Sequence, residues 1–172
     1  IVVFISFIYS SNVIAAPQLL SRSASSTSSQ PSGTFNTTFT FQIPASPSSA
    51  VQGIQITFCD TPLGTCTTSN TPTIPASTTV SQSGWAPSTA FASYTRQNGT
   101  DSNGSGGGSN GTNNQIQVTR TATGNVTSVT PTNLTIGFTG LTNNATANRA
   151  YYPRIRLYSS DTTLNNTTFV WE

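Results

Sequence analysis

The stretch Thr34–Ile43, which reads TFNTTFTFQI, decides the fold class of this chain. Every second residue of this stretch is predicted to face the core, and the residues between these positions are polar. The inward set is Phe35, Thr37, Phe39, Phe41 and Ile43. Strict alternation of this kind predicts a half-buried β-strand. Pro44 and Pro47 follow, and they end the strand because proline has no backbone N–H to donate to a ladder.

Similar short segments recur along the chain between clusters of Gly, Pro and Asn. In the next one, Ile54, Ile56 and Phe58 form one face and Gln55 and Thr57 the other, up to Cys59. Further strands are predicted at Phe91–Arg96, Gln115–Thr121, Leu134–Phe138 and Tyr151–Tyr158. No window has a helical period, and Ser, Thr, Asn and Gly are poor helix formers. The sequence therefore predicts an all-β protein, an immunoglobulin-like antiparallel β-sandwich with long polar loops.

The first residues predict export. Residues Ile1–Tyr9 are an apolar run, and Val13–Pro17 (VIAAP) follows with small residues suited to cleavage after Ala15. This is the pattern of a secretory signal peptide, and the run is shorter than the roughly 20 apolar residues of a bilayer span. Because the chain has no methionine and no basic residue before the run, the peptide (1–15) is expected to be truncated at its start.

Two more divisions of the chain are predicted. Residues 16–33 form a flexible linker, because the Ser/Thr-rich stretch Ser21–Ser32 has few apolar side chains to offset the entropy of ordering. Residues 34–172 form a single β-sandwich domain. Since the last residues, Phe169–Glu172, stop within a β-like alternation, this domain is expected to be truncated at its C-terminal end.

The composition argues against catalysis and nucleic-acid binding. Charged residues make up 6% of the chain, the net charge is +2, and the chain has no His and no Lys. The acids are Asp60, Asp101, Asp161 and Glu172. Acid–base catalysis recruits His, tuned Lys or paired carboxylates, and nucleic acid needs a clustered basic face. We therefore expect no enzyme activity, cofactor, metal site or nucleic-acid partner.

The two cysteines predict a structural disulfide. Cys59 and Cys66 enclose DTPLGT, a turn-rich segment with Pro62 and Gly64. In an exported chain such a pair is expected to close a loop at the end of a strand. A redox pair prefers two intervening residues, and a zinc site needs more ligands than these.

Sequons of the form Asn-x-Ser/Thr are frequent, and they are glycan acceptors if the host has the enzymes. They lie at Asn36, Asn98, Asn103, Asn110, Asn125, Asn133, Asn144, Asn165 and Asn166. A chain this rich in Asn, Ser and Thr also produces sequons by chance. The stretch 98–114, which contains no apolar residue, is predicted to be a surface spacer loop.

Aromatic residues leave a carbohydrate site open as an alternative. Tyr151, Tyr152, Tyr158, Trp85 and Trp171 could form a stacking platform beside arginines. The competing interpretation is that these rings belong to the core and to cross-strand pairs.

The ordered pattern resembles a family of small exported Ser/Thr-rich surface proteins of Patescibacteria (Saccharibacteria-like). Three segments carry the resemblance: Thr34–Ile43, then Gly53–Cys59 leading to Pro62–Cys66 (PLGTC), and Tyr152–Tyr158 (YPRIRLY). It spans Ala16 to Glu172 and implies a surface location without a particular activity. Because the chain stops before that family's closing strand, we expect the last sheet edge to be unpaired.

The expected function is a non-enzymatic secreted or cell-surface structural or adhesion module. Its partner would be a protein or glycan of the cell envelope or a host surface, with no membrane span after cleavage. The alternative is a pilus-like filament subunit that self-assembles by donating its apolar segment Ile1–Ile5 to a neighbour's sheet.

Overall fold

The computed structural model describes residues 17–45, 49–62, 66, 71–85, 90–91, 93–97, 114–121, 133–162, 164 and 169–172. Within these ranges the secondary structure consists of strands. Their bounds are β1 Leu20–Ser26, β2 Thr34–Gln42, β3 Gly53–Cys59, β4 Thr79–Ser83, β5 Ser93–Gln97, β6 Gln115–Thr119, β7 Leu134–Thr142, β8 Tyr152–Tyr158 and β9 Phe169–Trp171. None of these described segments is a helix of the length and apolarity that a membrane crossing requires.

The strands form two antiparallel sheets that pack against each other. The smaller sheet has the order β1-β2-β7-β4, and the larger has the order β5-β6-β3-β8-β9. The predicted all-β sandwich is confirmed. Its immunoglobulin-like detail stays a prediction. In the larger sheet β6 pairs with β3, and β5 pairs with the other edge of β6.

The alternation in β2 places its aromatic side chains between the sheets, as predicted. Phe35, Phe39 and Phe41 are all buried. The ring of Phe39 lies 6.3 Å from that of Phe58 on β3 and 6.4 Å from that of Phe138 on β7. Each large apolar side chain buried in this way contributes about 1.5–3 kcal/mol relative to exposure to water. The core therefore joins the centres of both sheets.

The central strand of the larger sheet is buried on both faces, which its alternation does not indicate. Gln55 and Thr57, the polar residues of β3, are only 1% and 5% exposed. The Tyr158 hydroxyl donates to Gln55 Oε1 at 3.1 Å, and Gln115 Nε2 donates to Thr57 Oγ1 at 2.8 Å. These cross-strand contacts satisfy Gln55 Oε1 and Thr57 Oγ1, whereas the buried atoms Gln55 Nε2 and Gln115 Oε1 have no hydrogen-bond partner among the residues described. Covering the outer face of β3 is therefore only partly compensated by hydrogen bonds.

The segment predicted as a flexible linker, residues 16–33, contains β1, so that prediction is wrong for Leu20–Ser26. This strand pairs with β2, from Leu20 opposite Gln42 to Ser26 opposite Thr37, with a register shift after Leu20. Its side chains are exposed, and the strand is held by main-chain hydrogen bonds. Such pairing does not require apolar side chains, which is why composition failed to indicate it.

The edge of β9 is also paired, contrary to the expectation of an open last edge. Leu19 N donates to Glu172 O at 2.9 Å, and Glu172 N donates to Pro17 O at 3.2 Å. The side chain of Leu19 is 3% exposed and belongs to the core. The chain therefore runs along the edge of the larger sheet before it enters β1 of the smaller one.

Candidate functional site

The candidate site is a groove of about 330 Å³ at one end of the sandwich, called here the groove end. It lies where β1 ends, β2 begins, β7 ends and β8 begins. Its walls are the hydroxyl-bearing residues 26–29, with Asn143, Arg149 and Tyr151. The volume is at the lower end of the range for small-ligand pockets.

Hydrogen bonds fix the β1–β2 turn against the loop that follows β7. Asn143 Nδ2 donates to the carbonyl oxygens of Ser28 at 3.2 Å and Gln30 at 3.1 Å. The Asn143 backbone N–H donates to Gly33 O at 3.0 Å, and Ser32 N donates to Asn144 O at 3.1 Å. One wall of the groove is therefore tied to the other.

The hydroxyl groups of the turn keep capacity for a further partner. Thr27 Oγ1 accepts from Asn36 N at 2.9 Å, and Ser28 Oγ accepts from Gln30 N at 3.2 Å. A hydroxyl that accepts one hydrogen bond still has its own O–H to donate. These two side chains are thus held in place by the turn and can still donate.

Tyr151 forms the floor of the groove and connects it to the core. Its ring stands edge-on to that of Phe58 at 5.5 Å and 83°, and lies 6.3 Å from that of Phe35. Burial raises the pKa of the Tyr151 hydroxyl, and a hydrogen bond with Ser26 acts in the opposite direction. The phenol is therefore neutral near neutral pH and can donate or accept.

Arg149 supplies the positive charge of the groove. It is exposed and follows Asn148, which has a left-handed backbone with φ of 58°. Among the residues that the structure describes, no ion pair involves its guanidinium. The groove therefore combines one cation with hydroxyl, amide and phenol groups, and none of its wall residues is acidic.

The disulfide between Cys59 and Cys66 forms as predicted, at the same end of the sandwich. The two Cα atoms are 5.0 Å apart, and both residues are buried. Cys59 is the last residue of β3 and pairs with Tyr152 of β8, next to Tyr151. Closing a loop of about eight residues contributes about 2.5 kcal/mol in the chain-entropy model. The cross-link therefore stabilises the strand end on which the floor of the groove rests.

The aromatic platform considered from the sequence does not form. Trp85, Trp171 and Tyr158 are at most 6% exposed. Trp85 closes the opposite end of the sandwich, where its Nε1 donates to Thr135 O at 2.7 Å. The guanidinium carbon of Arg120 lies 5.5 Å from the Trp85 ring and 4.7 Å from the Phe91 ring. These rings are core, and of the proposed platform only Tyr151 reaches the groove.

Three of the predicted glycan acceptors lie in the described part of the chain, and each uses its Oδ1. Asn36 Oδ1 accepts from Gly140 N at 3.0 Å, Asn133 Oδ1 from Gln42 Nε2 at 2.9 Å, and Asn144 Oδ1 from Thr146 N at 2.8 Å. Asn36 and Asn133 are exposed. Modification would occur on Nδ2, so these contacts are compatible with a glycan. The other predicted acceptors, Asn98, Asn103, Asn110, Asn125, Asn165 and Asn166, lie outside the described residues, as does most of the predicted loop 98–114.

The acidic residues that are described do not gather into a site. Asp60 and Asp161 lie in bends that follow β3 and β8, and Asp101 is outside the described residues. Glu172 Oε1 accepts from Arg156 Nε at 2.9 Å, an ion pair beside the ring of Phe169. Within the described ranges, no three His, Cys, Asp or Glu residues are placed to hold a metal ion.

No family model matches the chain, and comparisons with curated proteins and with solved structures find no significant match. The class of protein is therefore defined by the fold: a disulfide-bonded all-β sandwich with a polar groove at one end.

Proposed function

We propose that the chain is a non-enzymatic secreted or cell-surface module with a structural or adhesive role. The observation that carries the proposal is the groove end, where a disulfide braces a sandwich rim that presents hydroxyl, amide, phenol and guanidinium groups. Rims of β-sandwiches commonly carry binding loops on a rigid scaffold. The partner is a protein or glycan of the cell envelope or of a host surface.

The disulfide supports a location outside the reducing cytosol. Disulfides persist in oxidising compartments, and small exported domains use them to supplement a limited core. The apolar run Ile1–Tyr9 supports the same location, because it has the features of a signal sequence.

Location and attachment are tested separately. Antibodies against the folded domain should label intact cells that make the protein, and the labelled protein should contain no reactive thiol. Beads coated with the protein should bind partner cells, and soluble protein should block that binding. Protein that antibodies reach only after lysis, with Cys59 and Cys66 both reactive, would contradict the proposal.

A filament subunit assembled by strand donation is the second candidate. The feature that favours it is the outer edge of β1, whose paired neighbour within the described residues is β2 alone. An incoming strand such as Ile1–Ile5 of a neighbour could extend the sheet there. Electron microscopy of the full chain should then show filaments that a chain starting at Ala16 does not form. Dispersed particles from both chains would exclude this candidate.

A further inference from the structure

We infer that the groove binds a carboxylate-bearing sugar, with Arg149 holding the carboxylate and the hydroxyl groups of residues 26–29 holding the sugar ring. The inference rests on the proposed adhesive role and deepens it by naming the class of ligand. Within this one cavity, Arg149 lies beside a row of hydroxyl groups.

The charge of the groove favours an anionic ligand. Arg149 is exposed, its guanidinium presents a planar fork of N–H donors, and no wall residue of the groove is acidic. Guanidinium pairs with carboxylate through two parallel hydrogen bonds, and such charge-assisted bonds are stronger than neutral ones. An acidic group is therefore the best partner for the open end of the groove.

The remaining wall favours a polyol over a bare anion. Thr27 and Ser28 each hold an accepting contact within the turn and keep an O–H to donate. Tyr151 contributes a phenol whose ring is braced by Phe58 and Phe35. Each of these hydroxyls keeps a second lone pair as well as its O–H, so it can both donate to and accept from the vicinal hydroxyls of a sugar, whereas a simple inorganic anion would use only the donors.

The geometry also suits a ligand of limited size. A volume of about 330 Å³ accommodates one or two sugar rings rather than a long polymer buried along its length. The terminal acidic residue of a glycan therefore fits better than an internal segment.

Binding is tested with the purified full chain by NMR titration. The acidic probes are 3′-sialyllactose and a hyaluronan tetrasaccharide, and lactose is the neutral counterpart. At least one acidic probe should give saturable shifts at the side-chain amide of Asn143 and at Nε of Arg149, and lactose should give none. Arg149→Gln should weaken binding about tenfold or more, because a hydrogen bond to a charged group is lost.

Two further variants distinguish binding in the groove from a general attraction of acidic sugars to positive charge on the protein. Arg22→Gln removes another exposed arginine, in the half of β1 away from the groove, and should leave the affinity unchanged. Tyr151→Phe keeps the ring and removes the hydroxyl, and should weaken binding about three- to tenfold. Thermal melting of each variant should match the parent chain, so a loss of binding is not a loss of fold.

Several results would overturn the inference. One such result is the absence of saturable shifts with both acidic probes. Another is binding of lactose with the same affinity as the acidic probes. A third is a loss of affinity in Arg22→Gln equal to that in Arg149→Gln. Competition by sodium sulfate at the same affinity as the sugar would reduce the groove to a general anion site. Because the titration uses purified protein, its failure is distinguishable from failure of the surface-labelling and bead experiments.

Discussion

Gly84 and Gly140 share a left-handed backbone conformation, with φ of 82° and 79°, in different surroundings. A Cβ on Gly84 would collide with the carbonyl oxygen of Asn133, whereas a Cβ on Gly140 would meet no atom within 4 Å. Gly140→Ala should therefore lower the free energy of unfolding by about 1–2 kcal/mol, the cost of the left-handed conformation alone. Gly84→Ala should lower the free energy of unfolding by about 1–3 kcal/mol more than Gly140→Ala, because the collision of the new Cβ adds to the cost of the left-handed conformation.

Urea unfolding followed by tryptophan fluorescence measures both glycine variants. Gly140→Ala is the matched control, since it has the same backbone strain without the collision. Equal losses in the two variants would contradict the packing described around Gly84.

Tyr158 makes the fold sensitive to alkaline pH. Its hydroxyl is buried and donates to Gln55. Burial raises its pKa above the usual value, with a smaller opposing effect of Arg156 and a smaller supporting effect of Glu172. The unfolded chain therefore releases this proton first, near pH 10, while the folded chain retains it. The stabilisation is complete below about pH 10 and is lost as the pH rises toward the folded pKa.

The free energy of unfolding should thus be constant up to about pH 9 and fall above about pH 10. The slope is at most about 1.4 kcal/mol per pH unit for each such tyrosine, and Tyr151 contributes in the same direction. Tyr158→Phe should reduce the slope, because it removes the buried hydroxyl whose pKa is raised. An unchanged slope in Tyr158→Phe would refute the buried state of the Tyr158 hydroxyl.

At the scale of elements, the sequence pattern predicted the strands that carry the core and the edge strand β5, but it missed β1 and β4. The predicted strands β2, β3, β5, β6, β7 and β8 all lie within a few residues of their predicted positions. Strand β1 (LSRSASS) has no apolar alternation, and β4 (TVSQS) is short and polar. Both are outer strands of the smaller sheet, where main-chain bonds to one neighbour suffice. Side-chain patterns do not record such bonds.

The groove was not predicted because its walls are distant in sequence. Residues 26–29 and Tyr151 meet only after β1 and β2 pair and β7 is placed beside β2. The sequence did show a run of Ser and Thr residues at this position, but its composition led to the prediction of a flexible linker. The disulfide, in contrast, joins residues seven positions apart, so its sequence spacing was informative.

Removing β1 tests whether that segment belongs to the fold. A chain that starts at Thr27 loses the edge strand and the buried Leu19, and its free energy of unfolding should fall by at least about 2 kcal/mol relative to a chain that starts at Pro17. The chain that starts at Pro17 keeps the hydrogen bonds to Glu172 and is the control. Equal urea midpoints would restore the flexible-linker prediction.

At the scale of the whole molecule, the two ends of the sandwich differ in chemistry. One end is closed by Trp85, Phe91 and Arg120, whose ring and guanidinium contacts are buried. Burial lowers the pKa of Arg120, although an arginine remains charged at physiological pH. The groove end is polar and braced by the disulfide. The described part of the molecule therefore has one buried aromatic end and one polar end.

Both the groove and the difference between the two ends of the sandwich depend on the order of strands in the two sheets. Cross-strand NMR contacts between backbone protons test that order most directly. The fold places Phe39 of β2 opposite Ala24 and Ile136, and Ile56 of β3 opposite Ile116 and Ile155. Backbone contacts between those four pairs are the expected result. Contacts that instead pair β2 with β3, or the sequential contacts typical of helices, would contradict the account.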